Sequence, residues 1–307
     1  MIRRRPGNRR RDVVEGDNRG TRAPGGAPGT GRLRARSHPR ARRADPMSDQ
    51  IRRPGRRAAL MATLGTAVAN AVPAVTVLPR VRLRLFPRLS GFGATDHVAL
   101  TFDDGPDPAS TPRFAEALAA HQVRATFFLL GSTLADAPSV GRDLAAAGHE
   151  VAVHGWAHRN LLLRGPYATH HDLARTRDLV RETTGQTPRF YRPPYGVLSA
   201  SALLAARRLA LSPVLWTCWG RDWTRTATPA SVLATLRTGL AGGGTILLHD
   251  SDCASAPGAW RSSLAALPYL LDECARRGWR VGPLGEHGLP PRRPGRLSAP
   301  GPAPHPE

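Results

Sequence analysis

From residue 96 onward the chain alternates short apolar runs with longer stretches in which apolar positions recur every three or four residues. The runs HVALTFD (97–103), ATFFLL (125–130), HEVAV (149–153), PRFY (188–191), SPVLWT (212–217), TILLH (245–249) and WRVGP (279–283) predict strands. The amphipathic stretches between them predict helices at about 112–121, 133–147, 168–184, 199–210, 229–240 and 260–277. Thr111-Pro112 has the form of a helix start, a capping hydroxyl followed by a proline at the first helical position. Gly148, Gly185 and Gly278 stand where a left-handed residue ends a helix. Strands that alternate with helices pair in parallel through right-handed crossovers, which leaves an open doubly wound sheet or a closed barrel, buried on both faces. One domain over residues 95–285 results.

The flanks have a different composition. Residues 1–46 hold 14 arginines against 4 acids, a net +10 of the chain's +21, and almost no large apolar side chains. Such a segment cannot bury enough surface to fold alone, so residues 1–57 are expected to be disordered. It reads as a basic arm, a solvated tail, or upstream sequence ahead of a true start at Met47. All 44 basic residues are arginine and none is lysine, a bias that a GC-rich genome produces by itself. No aromatic interleaving or binding motif accompanies the arginines, so no nucleic-acid partner is expected.

After Arg52, Arg53, Arg56 and Arg57 comes an uncharged apolar run, residues 58–78, the order of an export signal or membrane anchor; with its linker this region extends to residue 90. Ala69-Asn70-Ala71 offers a small-residue cleavage site, and Pro73 weakens a spanning helix. Residues 286–307 are proline-rich and read as a disordered tail. Cys218, Cys253 and Cys274 are odd in number and lack metal-binding spacing, the pattern of unpaired small residues.

Polar residues collect at the C-terminal ends of five of the seven runs: Asp103-Asp104, the segment HGWAH (154–158), Arg192-Pro193-Pro194-Tyr195-Gly196, Arg221-Asp222-Trp223 and His249-Asp250. In parallel α/β folds that end of the strands is where sites are built. His154 and His158 are four apart, so one turn can aim both rings at a point; with a carboxylate they would suit a divalent metal, although such a pair alone is more often two surface histidines.

TFDDGPDP, HGWAH, RPPYG, RDW and ILLHD, in this order and spacing over residues 95–285, resemble the five motifs of the polysaccharide deacetylases, carbohydrate esterase family 4, the NodB-homology domain. The resemblance implies a distorted (β/α)7 TIM-like barrel with parallel strands, and one divalent metal ion, zinc first, with cobalt, nickel or iron as alternatives. It assigns Asp104, His154 and His158 to the metal and Asp103 to the general base. It places the backbone N–H of Tyr195 at the oxyanion and His249 at the leaving amine. Arg192 is expected to orient Asp103, Asp222 to hold Arg192, and Asp250 to orient His249, with Trp223 and Leu247 lining an acetyl pocket. Gly155 replaces a usual Ser or Thr, and Trp219 stands where relatives often carry an additional Asp.

The implied activity is metal-dependent removal of N-linked acetyl groups from a polysaccharide, peptidoglycan or a chitin-like glycan. The same site would also suit an O-deacetylase of a xylan-type polymer, a sugar-lipid deformylase, or a carbohydrate-binding relative without turnover. The expected protein is monomeric, exported or membrane-anchored with its catalytic domain outside a bacterial cytoplasm, and associated with membrane or cell wall.

Overall fold

A computed structural model describes residues 56–289. The expectations of disorder over most of residues 1–57 and in nearly all of the 286–307 tail, and of a start at Met47, lie outside the described residues. Helices α1 (Arg56–Ala71), α2 (Pro79–Leu85) and α3 (Pro87–Ser90) lead into strand β1 (His97–Asp103). There follow α4 (Thr111–Ala120), β2 (Thr126–Leu129), α5 (Gly131–Asp136), α6 (Pro138–Ala146) and β3 (Glu150–Val153). Next come α7 (Pro166–Thr184), β4 (Phe190–Tyr191), α8 (Ala200–Arg208), β5 (Ser212–Pro213) and β6 (Cys218–Trp219). The order closes with α9 (Pro229–Arg237), β7 (Thr245–His249), α10 (Trp260–Arg276) and β8 (Arg280–Gly282).

All pairings are parallel, in the order β5-β4-β3-β2-β1-β7-β6 with β8 against the start of β1. The sheet curls into a distorted barrel, the (β/α)7 class that the alternation and the motifs imply. β1 is central and buried along all seven residues, and Phe102 stacks on Phe127 and meets Phe114 edge-on in the layer between sheet and helices.

Three local differences from the sequence reading have physical causes. The helix expected over 133–147 is two helices, because Pro138 cannot donate to the preceding turn and disfavours helical geometry at Ala137. Thr111 does not cap α4; its hydroxyl donates to the Asp250 carboxylate instead. The strand expected over 212–217 is realised only at Ser212–Pro213, β5 on one edge of the sheet, and the next strand, β6 at Cys218–Trp219, lies on the other edge. Residues 214–217 cross from edge to edge, and the barrel has a seam there.

The stretch Ala59–Val77 is long and apolar enough to cross a membrane, with a mean hydropathy of 1.5 and 6% of it buried. The residues after it are more than a linker. Arg82 and Ser90 are buried, Leu89 O accepts from Leu215 N–H at 2.7 Å, and the Thr245 hydroxyl donates to Gly91 O at 2.7 Å. Asn70 is tied to the first turn of α8 through Ser201, whose N–H and hydroxyl both donate to Oδ1.

Candidate active site

Strand register brings the polar residues together. Asp103 ends β1 opposite His249, the last residue of β7, and both stand at the C-terminal mouth of the barrel. Asp104 turns the chain out of the sheet with a left-handed backbone (φ 80°), a conformation that aspartate tolerates better than most residues. Adjacent residues in extended chain face opposite ways, and the turn at Asp104 lets the two carboxylates approach one site from different sides.

Asp104 Oδ1 lies 3.3 Å from His154 Nε2 and 3.5 Å from His158 Nε2, and the three candidate ligand atoms all fall within 4.8 Å of one another. Oδ1 is buried with no hydrogen-bond partner among the described residues. His154 Nδ1–H donates to Arg192 O at 2.9 Å, which leaves Nε2 bare and facing the cluster. Ligand atoms about 2.0–2.1 Å from a tetrahedral zinc ion stand roughly 3.3 Å apart, so the observed spacing and the O/N/N donor set fit such an ion. Burial and the charge of His154 pull His158 down to about 4, which keeps it a neutral donor. Burial alone would raise Asp104, but the close approach of His154 and the charges of His249, His154 and His158 bring it to about 2.

Asp103 is set apart from this cluster. Arg192 is fully buried, and its Nη1 donates to Asp103 Oδ1 at 2.7 Å and to Thr101 Oγ at 2.8 Å. Arg192 Nε and Nη2 donate to Val214 O and Leu215 O, so its donors are spent on the seam as well as on the carboxylate. Thr101 sits two residues before Asp103 on the same face of β1, an alternation by which the sequence could have marked it.

Two orientations differ from expectation. Asp222 does not hold Arg192; its Oδ1 accepts from His249 Nδ1 at 2.9 Å, its Oδ2 accepts from His249 N–H at 2.8 Å, and the Ser263 hydroxyl also donates to it. Asp250 does not touch His249; it takes the Thr111 hydroxyl and braces the loop that follows Asp104. The reason is alternation: His249 and Asp250 are consecutive and point apart, whereas Asp222 comes up beside β7 from the neighbouring edge strand. Burial disfavours a charged His249, but Asp222, with Asp104 and Asp103, outweighs it and pushes the ring up to about 10; positive charge at the Asp104 cluster would bring it down again. Asp250 is raised to about 7, chiefly by burial.

These groups surround a cavity of about 250 Å³ whose other side is apolar: Trp216, Trp219, Trp223 and Leu247. Tyr195 lines it too, in a left-handed turn (φ 59°) that is strained for a bulky residue. The next residue must be glycine, because a Cβ on Gly196 would lie 2.6 Å from the Trp216 ring. Trp219 is 37% exposed and stacks on Trp216 at 5.7 Å and against Trp223 at 4.8 Å. Gly155 adopts φ 97°, so a side chain at that position would be strained whatever the space. Trp216, Thr101 and Ser263 escaped the sequence reading, and Thr111 was read only as a helix cap, because each acts across elements distant in the chain.

A buried triad with metal-ligand spacing, flanked by an arginine-held carboxylate and an aspartate-held histidine at the mouth of a parallel barrel, defines a hydrolytic class of site. A polysaccharide deacetylase family model matches residues 93–214. The chain is 36% identical over 203 residues to a chitooligosaccharide deacetylase of Bradyrhizobium sp. (strain ANU 289), an alignment covering 62% of this chain and 90% of that protein. It is 32% identical over 189 residues to a peptidoglycan-N-acetylglucosamine deacetylase of Listeria monocytogenes, covering 62% of this chain and 38% of that one. Among solved structures it is similar to the Bc1960 peptidoglycan N-acetylglucosamine deacetylase, with TM-score 0.60 and 28% identity over 64% of this chain and 90% of that one. The chain belongs to the polysaccharide deacetylase family, carbohydrate esterase family 4, and is a hydrolase of that family.

Proposed function

We infer that the protein removes N-acetyl groups from N-acetylglucosamine residues of a glycan polymer, peptidoglycan or a chitin-like chain, with a divalent metal ion, zinc first, held by Asp104, His154 and His158. The observation that carries this reading is the separation of duties in the cavity: a ligand triad, and beside it two differently partnered proton carriers, Asp103 and His249, on neighbouring strands. Bound there, a divalent cation would acidify a water molecule and polarise the acetyl carbonyl. Asp103 is the group that takes the proton as water attacks, with Arg192 holding its Oδ1 so that Oδ2 remains free toward the cavity. The N–H of Tyr195 stabilises the oxyanion, which explains why a strained turn is kept there. His249, its Nδ1 engaged by Asp222, turns Nε2 to the cavity and protonates the departing amine.

Trp223 and Leu247, with Trp216, form the methyl pocket, and exposed Trp219 offers a face on which a sugar ring can stack. The apolar stretch Ala59–Val77 supports export or anchoring of the domain outside the cytoplasm, next to such a polymer. The test is acetate release, followed by mass spectrometry, from N-acetylglucosamine oligomers, peptidoglycan and acetylxylan with zinc or cobalt supplied, beside Asp103→Asn. Release from the N-acetylated substrates alone supports the reading. Release only from acetylxylan moves the activity to ester hydrolysis, and no release from any of them overturns it.

A further inference from the structure

The seam between β5 and β6 leaves three successive carbonyls, on Val214, Leu215 and Trp216, without strand partners, and guanidinium groups take them. Arg192 accepts the duty for the first two. The third is taken by Arg82, whose Nη2 donates to Trp216 O at 2.8 Å while its Nη1 reaches Thr76 O at 3.4 Å. Arg82 is on α2, before residue 93, where the match to the family begins. It is 3% exposed, its Cζ lies 5.1 Å from the centroid of the Trp216 ring, and that of Arg192 lies 5.8 Å from the same ring. Burying an arginine without a carboxylate partner is costly, and its Nε has no partner among the described residues. A surface helix gains nothing from such a residue by itself; the contact it makes is with the wall of the catalytic cavity.

We propose that Arg82 is a positioning residue for the acyl pocket: it fixes the Trp216 backbone at the seam, and through it the ring that walls the cavity opposite Asp103 and Asp104. Leu89 supports the same wall, packing against the cluster of Leu215, Trp216 and Leu247 while its carbonyl holds Leu215 N–H. The chain between the apolar helix and the barrel thereby becomes part of the active site, and the fit of the acyl group depends on a segment outside the family match. This rests on the reading of the cavity as an acetyl pocket.

A pocket shaped to one methyl group discriminates against an added methylene by about 10–200-fold. Full-length zinc-loaded protein is compared with Arg82→Met and with Arg82→Gln, whose amide is too short to reach Trp216 O, on N-acetyl and N-propionyl glucosamine oligomers. The ratio of the two kcat/KM values is independent of how much protein is folded. The expected result is a drop of about tenfold in the acetyl preference for both variants, with faster hydrogen–deuterium exchange in peptides covering 212–220. A preference within about twofold of wild type in the variants that fold overturns the proposal. If wild-type protein hydrolyses neither substrate, the deacetylase reading fails separately, and exchange alone decides: unchanged protection at 212–220 overturns the role of Arg82, and lost protection supports its hold on Trp216.

Discussion

Asp222 grips His249 at two points, through the ring Nδ1 at 2.9 Å and the backbone N–H at 2.8 Å. One carboxylate therefore sets the position of the last β7 residue, the tautomer of its imidazole and the direction of Nε2. Asp222→Asn keeps the shape but removes the charge that supports a protonated ring. The expected outcome is a fall in kcat of about 10²–10⁴-fold with the alkaline limb of the pH–rate profile moved to lower pH, while metal content measured by mass spectrometry is unchanged.

Asp250 has a different partner, and its replacement should have a different signature. In Asp250→Asn the Thr111 contact persists as a neutral hydrogen bond, and His249 keeps its own carboxylate. Because the amide keeps that bond and removes a carboxylate whose charge burial disfavours, the thermal midpoint is expected to hold or rise and kcat to fall by less than in Asp222→Asn. A collapse of kcat as large as that of Asp222→Asn would show that Asp250 acts on the proton donor after all.

The paired carboxylates on β1 should separate cleanly. Asp104→Asn is expected to lose bound zinc on dialysis, whereas Asp103→Asn should retain it and lose turnover by about 10²–10⁴-fold. Arg192 pairs with Asp103, and the cation that the triad would hold would neutralise Asp104, so like charges can be neighbours in the chain.

Acid should weaken the fold far from the active site. At the other end of β1, His97 and His287 are buried with their Nδ1 atoms 2.8 Å apart, and His287 Nε2 is shared between Gly91 O and Gly243 O. Since Nε2–H donates to those carbonyls, Nδ1 of a neutral His287 accepts from His97. Burial lowers both, and it brings His287 to about 4 with the charge of His97 as a second cause. Above about pH 6.5 folded and unfolded chains hold both rings neutral; as pH falls from there to about 4 the unfolded chain binds protons that the fold refuses, so stability is lost in that window. For His287 alone this is roughly 2–3 kcal/mol. Thermal midpoints measured between pH 7 and 4 should fall less steeply in His287→Gln than in wild type.

Trp219 is expected to act on binding more than on chemistry. Trp219→Ala should raise KM for glycan oligomers about 2–10-fold with little change in kcat, because it removes an exposed stacking face and leaves every proton carrier in place. Equal effects on KM and kcat would instead indicate that it only supports Trp216.

The alternation of apolar runs and amphipathic helices was sufficient to read the parallel architecture, since each run long enough to be buried on both faces declares itself. Strand tips carrying Asp103, Asp104, His154, His158 and His249 were equally visible, because strands ordinarily exclude such residues. What the sequence could not show was which partner each polar group takes. Asp222 takes the duty expected of Asp250 at His249, and Asp250 takes Thr111 instead, because the choice depends on which face each residue presents, and at the end of a two-residue strand the alternation is not readable. The break at 214–217 was hidden for the opposite reason: VLWT is apolar enough for a strand, and where it leaves the sheet two arginines, one of them 134 residues away in sequence, satisfy its carbonyls.

That seam divides the catalytic machinery into parts of unequal rigidity. Asp103 and His249 stand on β1 and β7, which share five register pairs, while Trp216 belongs to a crossing whose carbonyls are held by arginine side chains. Homologous enzymes that part company in substrate range need not have altered a single proton carrier; changes in the few side chains that stitch the crossing would reshape the wall and leave the chemistry untouched.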